Sequence, residues 1–341
     1  MISSTQKILV VGPAWVGDMV MAQSLFKTLK EQIPDSHIDV LAPDWSLPIL
    51  QRMPEVRQAF QVQVGHGQLR LSTRLDLGKG LRSEKYSQAI VLPRSWKSAL
   101  LPFWAKIPVR TGFRGEFRHF LLNDIRRLDP HVLGTTVERF TALGLSPEAA
   151  MPPKIHYPQL TADPARGLSL LKKYGLDSKQ PLAGFMPGAA FGPAKQWPTS
   201  HFAQLARYLH AEGWQICIFG SPKDAPAAEH IRDLCAHKAV NLCGRTSLAE
   251  AIDLIAQVRI AVSNDSGLMH IAAAVGTRIV SIFGSSSPAY TPPLTAKAKI
   301  QATEIECRPC FERRCRFGHY RCLTEIDPGR VLSDIHALCG T

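Results

Sequence analysis

The sequence predicts an α/β protein built from two Rossmann-like, doubly wound domains facing each other across a cleft. Three observations predict it. Short apolar runs alternate with helix-patterned runs along nearly all of the 341 residues. That alternation breaks once, between Leu145 and Gly167, where Pro147, Pro152, Pro153, Pro158 and Pro164 crowd together. Several apolar runs also end in Gly-, Asn- or Asp-bearing turns that open a helix, the strand–turn–helix step of a parallel sheet. Domains are therefore expected at residues 1–160 and 161–325, with 326–341 forming a C-terminal helix that packs back toward the first domain.

Composition narrows the class. A hydrophobic content of 45% is enough for two cores. No apolar run approaches the ~20 residues of a membrane span, and the opening residues up to Lys7 do not read as an export signal, so a cytoplasmic location is expected. Eight Cys in such a chain argue against a disulfide scaffold. The net charge of +12 is uneven: between Arg52 and Arg127 stand 15 Lys/Arg against 5 Asp/Glu, which places +10 there. Such a region suits nucleic acid, anionic lipid headgroups or a phosphorylated substrate, or is simply a solvated surface, and composition does not choose among them.

The first domain opens with a buried strand, Lys7-Ile8-Leu9-Val10-Val11, and a loop, Gly12-Pro13-Ala14-Trp15-Val16-Gly17-Asp18; helical spacing then runs from Met19 to Lys30. Neither G-x-G-x-x-G nor a P-loop is present, and Asp18 stands where a P-loop carries Lys. Locally Asp18 has two readings: a first-turn carboxylate complementing the helix dipole, or a general base at the end of a strand. His37–Leu41 and Ala89–Leu92 read as further strands. Basic, aromatic loops follow, Arg94-Ser95-Trp96-Lys97-Ser98 and Thr111 to Arg118, able to grip phosphate and sugar or to lie idle on a surface.

In the second domain, strands are expected at Pro181–Met186, Trp214–Gly220, Val240–Gly244, Arg259–Val262 and Arg278–Gly284. Thr199 or Ser200 is expected to cap the helix to Leu209, and Ser247 with Glu250 forms a capping-box pattern. Lys195 lies in a Gly/Pro-rich loop suited to a phosphate contact, or is an ordinary exposed lysine. The turn Asp265-Ser266-Gly267 offers backbone N–H groups at a helix start, an anion site or only a cap. His270 falls one turn further, on the side of Ser266.

Trp15-Val16-Gly17-Asp18, the stretch from Pro187 to Pro198 and Asn264-Asp265-Ser266-Gly267-Leu268-Met269-His270 occur in that order and at these separations. Together they resemble the bacterial heptosyltransferases of lipopolysaccharide inner-core synthesis, over nearly the whole chain. The resemblance implies a GT-B fold and an inverting, metal-independent transfer from ADP-heptose, with no cofactor required. It implies Asp18 as catalytic base and Gly188, Lys195, Asp265, Ser266, Gly267 and His270 on the donor, with Thr246 near the adenine. On the acceptor side it implies Trp15, Arg94 and Arg114, facing a phosphorylated heptosyl-Kdo–lipid A at the anionic inner face of the inner membrane. A monomer is expected. A nucleic-acid-binding protein is the alternative from another class, though no recognition motif for it appears.

Cys307, Cys310, Cys315 and Cys322 form a C-x2-C-x4-C-x6-C cluster within an arginine-rich segment. It is either a structural zinc site or a compact loop of reduced thiols.

Overall fold

After Lys7 the first strand carries no polar side chain, and its last four residues are buried. A strand apolar on both faces belongs in the middle of a parallel sheet covered by helices. The computed structural model, which describes residues 6–62 and 70–340, places it there. The chain divides into two units, Met1–Pro158 and Gln159–Thr341.

The first unit contains β1 (Lys7–Val11), β2 (His37–Ala42), β3 (Val56–Gln61), β4 (Gln88–Val91), β5 (Val109–Phe113) and β6 (Asp124–Arg126), in the order β3-β2-β1-β4-β5-β6. The second contains β7 (Leu182–Met186), β8 (Gln215–Ile218), β9 (Ala239–Asn241), β10 (Ile260–Asn264), β11 (Arg278–Ile282) and β12 (Ala298–Gln301), in the order β12-β11-β10-β7-β8-β9. Every pairing is parallel. In each sheet the strand order reverses once, between β1 and β4 and between β7 and β10. Open parallel sheets bind ligands outside the carboxyl ends of their strands at that reversal. Trp15 and Asp18 follow β1, Arg94 follows β4, Gly188 and Lys195 follow β7, and Asp265 follows β10.

Several elements depart from expectation. Thr111 to Phe113, expected in a basic loop, form the end of β5, and the polar edge strands β3, β6 and β12 had no apolar signature. The short strand expected at Val240–Gly244 is instead Ala239–Asn241. Neither Thr199 nor Ser200 caps the helix Thr199–Ala211; its N-cap is Pro198, without a side-chain bond. The Ser247–Glu250 capping box is present. The terminal helix Pro328–Cys339 buries Val331 and Ile335 in the core of the second unit, beside Trp197 and Phe202, whose rings meet edge to face at 4.8 Å.

A buried carboxylate braces the first sheet. Asp39 on β2, with no solvent exposure, accepts the Tyr86 hydroxyl at 2.6 Å and the Arg57 guanidinium at 2.8 Å from Nε. Arg57 in turn reaches Glu84, which also pairs with Lys7 at 3.2 Å. Replacing Asp39 with Ala strands the Tyr86 hydroxyl and removes the anchor of Arg57. We expect a loss of about 1–3 kcal/mol in the first unit, read as a lower urea midpoint; an unchanged midpoint would show that water restores these bonds.

Candidate active site

In the second unit the loop from Pro187 to Pro198 is held by the residues that follow β10. Asn264 has no solvent exposure; its Nδ2 donates to the Pro187 carbonyl at 2.6 Å and its Oδ1 accepts the Trp197 N–H at 3.0 Å. One side chain therefore closes both ends of the loop. The Trp197 indole N–H donates to the Ile326 carbonyl at 3.0 Å, and the Ala194 N–H to the Arg313 carbonyl at 3.1 Å. Gly192 has φ +151° and a Cβ there would lie 2.5 Å from the Arg313 carbonyl oxygen, so both conformation and space require glycine.

This loop delivers Lys195 to Asp265. Lys195 Nζ stands 2.5 Å from Asp265 Oδ2, and the Ser286 hydroxyl donates to the same oxygen at 2.6 Å. The ammonium also lies 5.0 Å from the Phe191 ring centroid, whose ring is approached by the Arg313 guanidinium at 5.4 Å as well. Asp265 thus positions Lys195 and has its own N–H committed to the Ile282 carbonyl at 3.0 Å. The expectation of free N–H groups across the turn does not hold for that residue. Ser266 is the N-cap of the helix Gly267–Ala274 without a side-chain capping bond; its hydroxyl lies 3.3 Å from that of Ser263.

His270 is buried beside this pair. Burial lowers its pKa to about 4, against the pull of Asp265, while Lys195 adds to the lowering. The imidazole is neutral at physiological pH. Neither Gly188 nor Thr246 hydrogen-bonds to the Lys195–Asp265 pair. A Cβ on Gly188 would lie 2.5 Å from the Asp224 carboxylate, a packing reason for glycine. Thr246 is half-buried before the helix Leu248–Ile255. Ser286 went unrecognised in the sequence; the Gly-Ser-Ser-Ser turn closing the apolar β11 was its only signal.

In the first unit, Asp18 occupies the first turn of the helix Val16–Gln32, whose N-cap is the half-exposed Trp15. The loop before it is fixed by the Gly12 N–H to the Leu41 carbonyl at 2.9 Å and by the Trp45 indole N–H to the Ala14 carbonyl at 2.9 Å. Arg94 and Arg114 share a cleft of about 730 Å³ with Ser95, Gly115, Glu116, Arg127 and Leu128.

All eight cysteines are free thiols. Among the described residues no group of three or more His, Cys, Asp or Glu side chains is arranged to hold a metal ion, which favours the reduced-thiol reading of the two. Cys322 is packed into the apolar core of the second unit. Burial, and then the neighbouring Cys310, Cys315 and Cys307, push its thiol up to about 11. Burial also raises Cys315, but the N–H groups of Tyr320, Phe317, His319 and Gly318 outweigh it and the net direction is down. The segment instead braces the site: Arg308 donates to the carbonyls of Gly284 at 2.7 Å and Ser286 at 3.1 Å, and the Phe311 N–H to that of Ser285 at 2.8 Å.

Two doubly wound parallel sheets with these loops at their reversals are the architecture of the GT-B type. Comparison with known proteins gives the family. The pattern of glycosyltransferase family 9 (heptosyltransferase) matches residues 74–321. Lipopolysaccharide heptosyltransferase 2 of Salmonella typhimurium is 44% identical, covering 97% of this chain and 98% of its own. Lipooligosaccharide heptosyltransferase 2 of Haemophilus influenzae is 45% identical, covering 97% and 99%. The structure of E. coli ADP-heptose LPS heptosyltransferase II superposes with a TM-score of 0.88 at 42% identity, covering 98% of each chain. The chain belongs to glycosyltransferase family 9, the heptosyltransferases, and is an enzyme of that class. This assignment displaces the nucleic-acid reading of the basic half.

The buried neutral His270 carries a pH signature. Its folded pKa lies below the ordinary 6.5, so its contribution to stability is complete above pH 6.5 and falls as the pH drops toward about 4. We expect His270→Asn to flatten the stability profile between those pH values, removing a slope of at most about 1.4 kcal/mol per pH unit. Thermal melts across that range would show it; parallel profiles for the two proteins would contradict it.

Proposed function

We propose that this enzyme transfers L-glycero-D-manno-heptose from ADP-heptose to the first heptose of a heptosyl-Kdo–lipid A acceptor, with inversion at the anomeric carbon. The observation that carries the reading is the placement of Asp18 at the carboxyl end of β1, beside the strand-order reversal, in a chain 44% identical along its length to lipopolysaccharide heptosyltransferase 2.

In this mechanism the Asp18 carboxylate takes the proton of the acceptor hydroxyl as its oxygen attacks the anomeric carbon. The new glycosidic bond forms on the face opposite the diphosphate, and the bond to the diphosphate breaks. ADP leaves with the electron pair, and Asp18 holds the proton until solvent removes it. Lys195, held by Asp265, to which Ser286 donates in turn, meets together with the N–H groups of Ser266 and Gly267 the charge that builds on the diphosphate. Asp265 acts here through Lys195 rather than by touching phosphate. His270, neutral and buried, supports the turn from behind. Gly188 permits close approach of the loop, and Thr246 lies on the adenine side.

The acceptor side is the first unit, with Trp15, Arg94 and Arg114. Among the described residues no helix is long and apolar enough to cross a membrane. Attachment to the anionic inner-leaflet surface would rest on the basic region, each residue contributing ~1 kcal/mol, with the exposed rings of Phe117 and Phe120 beside it. The enzyme would act there as a single chain.

Asp18→Asn tests the base. With ADP-heptose and isolated heptosyl-Kdo–lipid A, we expect kcat to fall at least ~10²-fold while ADP-heptose affinity is kept. Wild-type turnover retained by the variant would remove Asp18 from the mechanism. Lys195→Met should instead weaken the binding of ADP-heptose, roughly 10-fold or more, as measured by calorimetry; unaltered binding would mean that the loop's N–H groups suffice.

A further inference from the structure

The Pro187–Pro198 loop and the arginine-rich segment from Cys307 to Cys322 lie far apart in sequence but lock together through their backbones. The Ala194 N–H donates to the Arg313 carbonyl at 3.1 Å, and the Ala194 carbonyl accepts the Ser285 N–H at 2.9 Å. A Cβ on Gly284 would run into that Ala194 oxygen, and one on Gly192 would lie 2.5 Å from the Arg313 oxygen. The Phe311 N–H closes the third side on the Ser285 carbonyl at 2.8 Å. Three loops thus interlock around one spot, and Arg313 takes its place from the same contacts that place Lys195.

A brace alone does not account for the Arg313 side chain. Its guanidinium lies 5.4 Å from the Phe191 ring centroid, and Lys195 Nζ lies 5.0 Å from the same centroid. One half-buried ring therefore gathers two cations. Those cations repel each other, and the protein answers one of them. Asp265 pairs with Lys195, whereas among the described residues no carboxylate pairs with the exposed Arg313. The ring attracts the guanidinium through its π-face and uses none of its five N–H groups. Among the described residues no acceptor takes one of them either. Arg313 is held in place with its donors unspent.

We propose that Arg313 is a donor-site residue: with Lys195 it clamps the diphosphate of the nucleotide sugar, and the Phe191 ring sets the spacing of the two cations. Two unlike cations suit such a group. The guanidinium fork fits two oxygens of one phosphoryl group, and the ammonium acts as a point charge beside it. As the bond to the sugar breaks, negative charge grows on the departing phosphate. A guanidinium already in position meets that charge without reorganising. This rests on the transfer reading above. It adds Arg313 to the residues that touch the donor and makes Phe191 a positioning residue.

ADP and adenosine would be titrated by calorimetry into wild type, Arg313→Met, Arg313→Lys and Phe191→Leu, each first checked by thermal melting. Heptosyl transfer from ADP-heptose would be assayed in parallel. We expect Arg313→Met to weaken ADP binding roughly 10-fold and to lower kcat roughly 10- to 100-fold. Adenosine binding and acceptor KM should stay within about 2-fold. Lysine keeps the charge and loses the fork, so Arg313→Lys should recover part of the ADP affinity. Phe191→Leu keeps apolar bulk and loses the π-face; it should weaken ADP binding alone, and weaken it less when added to Arg313→Met. An Arg313→Met protein that folds and binds ADP like wild type overturns the clamp. Equal losses for ADP and adenosine overturn it too, because they mark a general distortion of the pocket. If Arg313→Met does not fold, Arg313→Lys decides: reduced ADP affinity at unchanged adenosine affinity supports the clamp, and unchanged ADP affinity with unchanged kcat overturns it. Arginine-dependent ADP binding without heptose transfer by wild type would leave the clamp standing and overturn the transfer reading alone.

Discussion

The carboxamide of Asn264 sits at the end of β10 with no exposure to water, and both of its ends are in use. It joins the first and last parts of the Pro187–Pro198 loop to the strand beside the sheet's reversal. The arrangement around Lys195 follows from that closure. With the loop pinned, Lys195 pairs with Asp265, and Asp265 is itself fixed by Ser286 and by its N–H to β11. A buried amide satisfied on both sides is a rigid support, whereas half satisfied it would be a liability. The arginine-rich segment then closes the far side, because Arg308 and Phe311 bind the carbonyls of the turn that carries Ser286. The cysteines of this segment belong to a brace, in which Cys322 packs into the core of the second unit.

Much of this could be read from the chain. Central strands β1, β4, β7, β10 and β11 each carry a buried apolar run, and such runs are recognisable without knowing their neighbours. The edges were not legible. Val56-Arg57-Gln58-Ala59-Phe60-Gln61 is half-exposed and mixed in character, and it is a strand because β2 offers it a ladder. Strand preference at an edge is decided by that neighbour rather than by the residue. Helix caps behaved similarly: Ser247 announced itself by the Glu250 that answers it, whereas the hydroxyls of Thr199 and Ser200 had no such reciprocal partner.

For the sites, motif residues were visible but their roles were not. Lys195 and Asp265 lie seventy positions apart, and only the pairing of β7 with β10 brings their loops together. That pairing gives Asp265 its contact with Lys195, which no spacing in the sequence announces. That Arg127 shares a cleft with Arg94 and Arg114 was not legible, because it depends on parallel strands ending side by side, a relation with no fixed spacing in sequence.

Arg118 has a consequence of a different kind. Burial, and then the nearby Arg94, lower its pKa to about 10, with Glu116 opposing, so it keeps its charge under ordinary conditions. It is held by carbonyl dipoles, with no carboxylate bonded to it. The first unit thus folds around a cation whose partner the chain does not fully supply. An anion held near Arg118 would complete the unit's own electrostatics, and by mass action its binding and the unit's folding would stabilise each other.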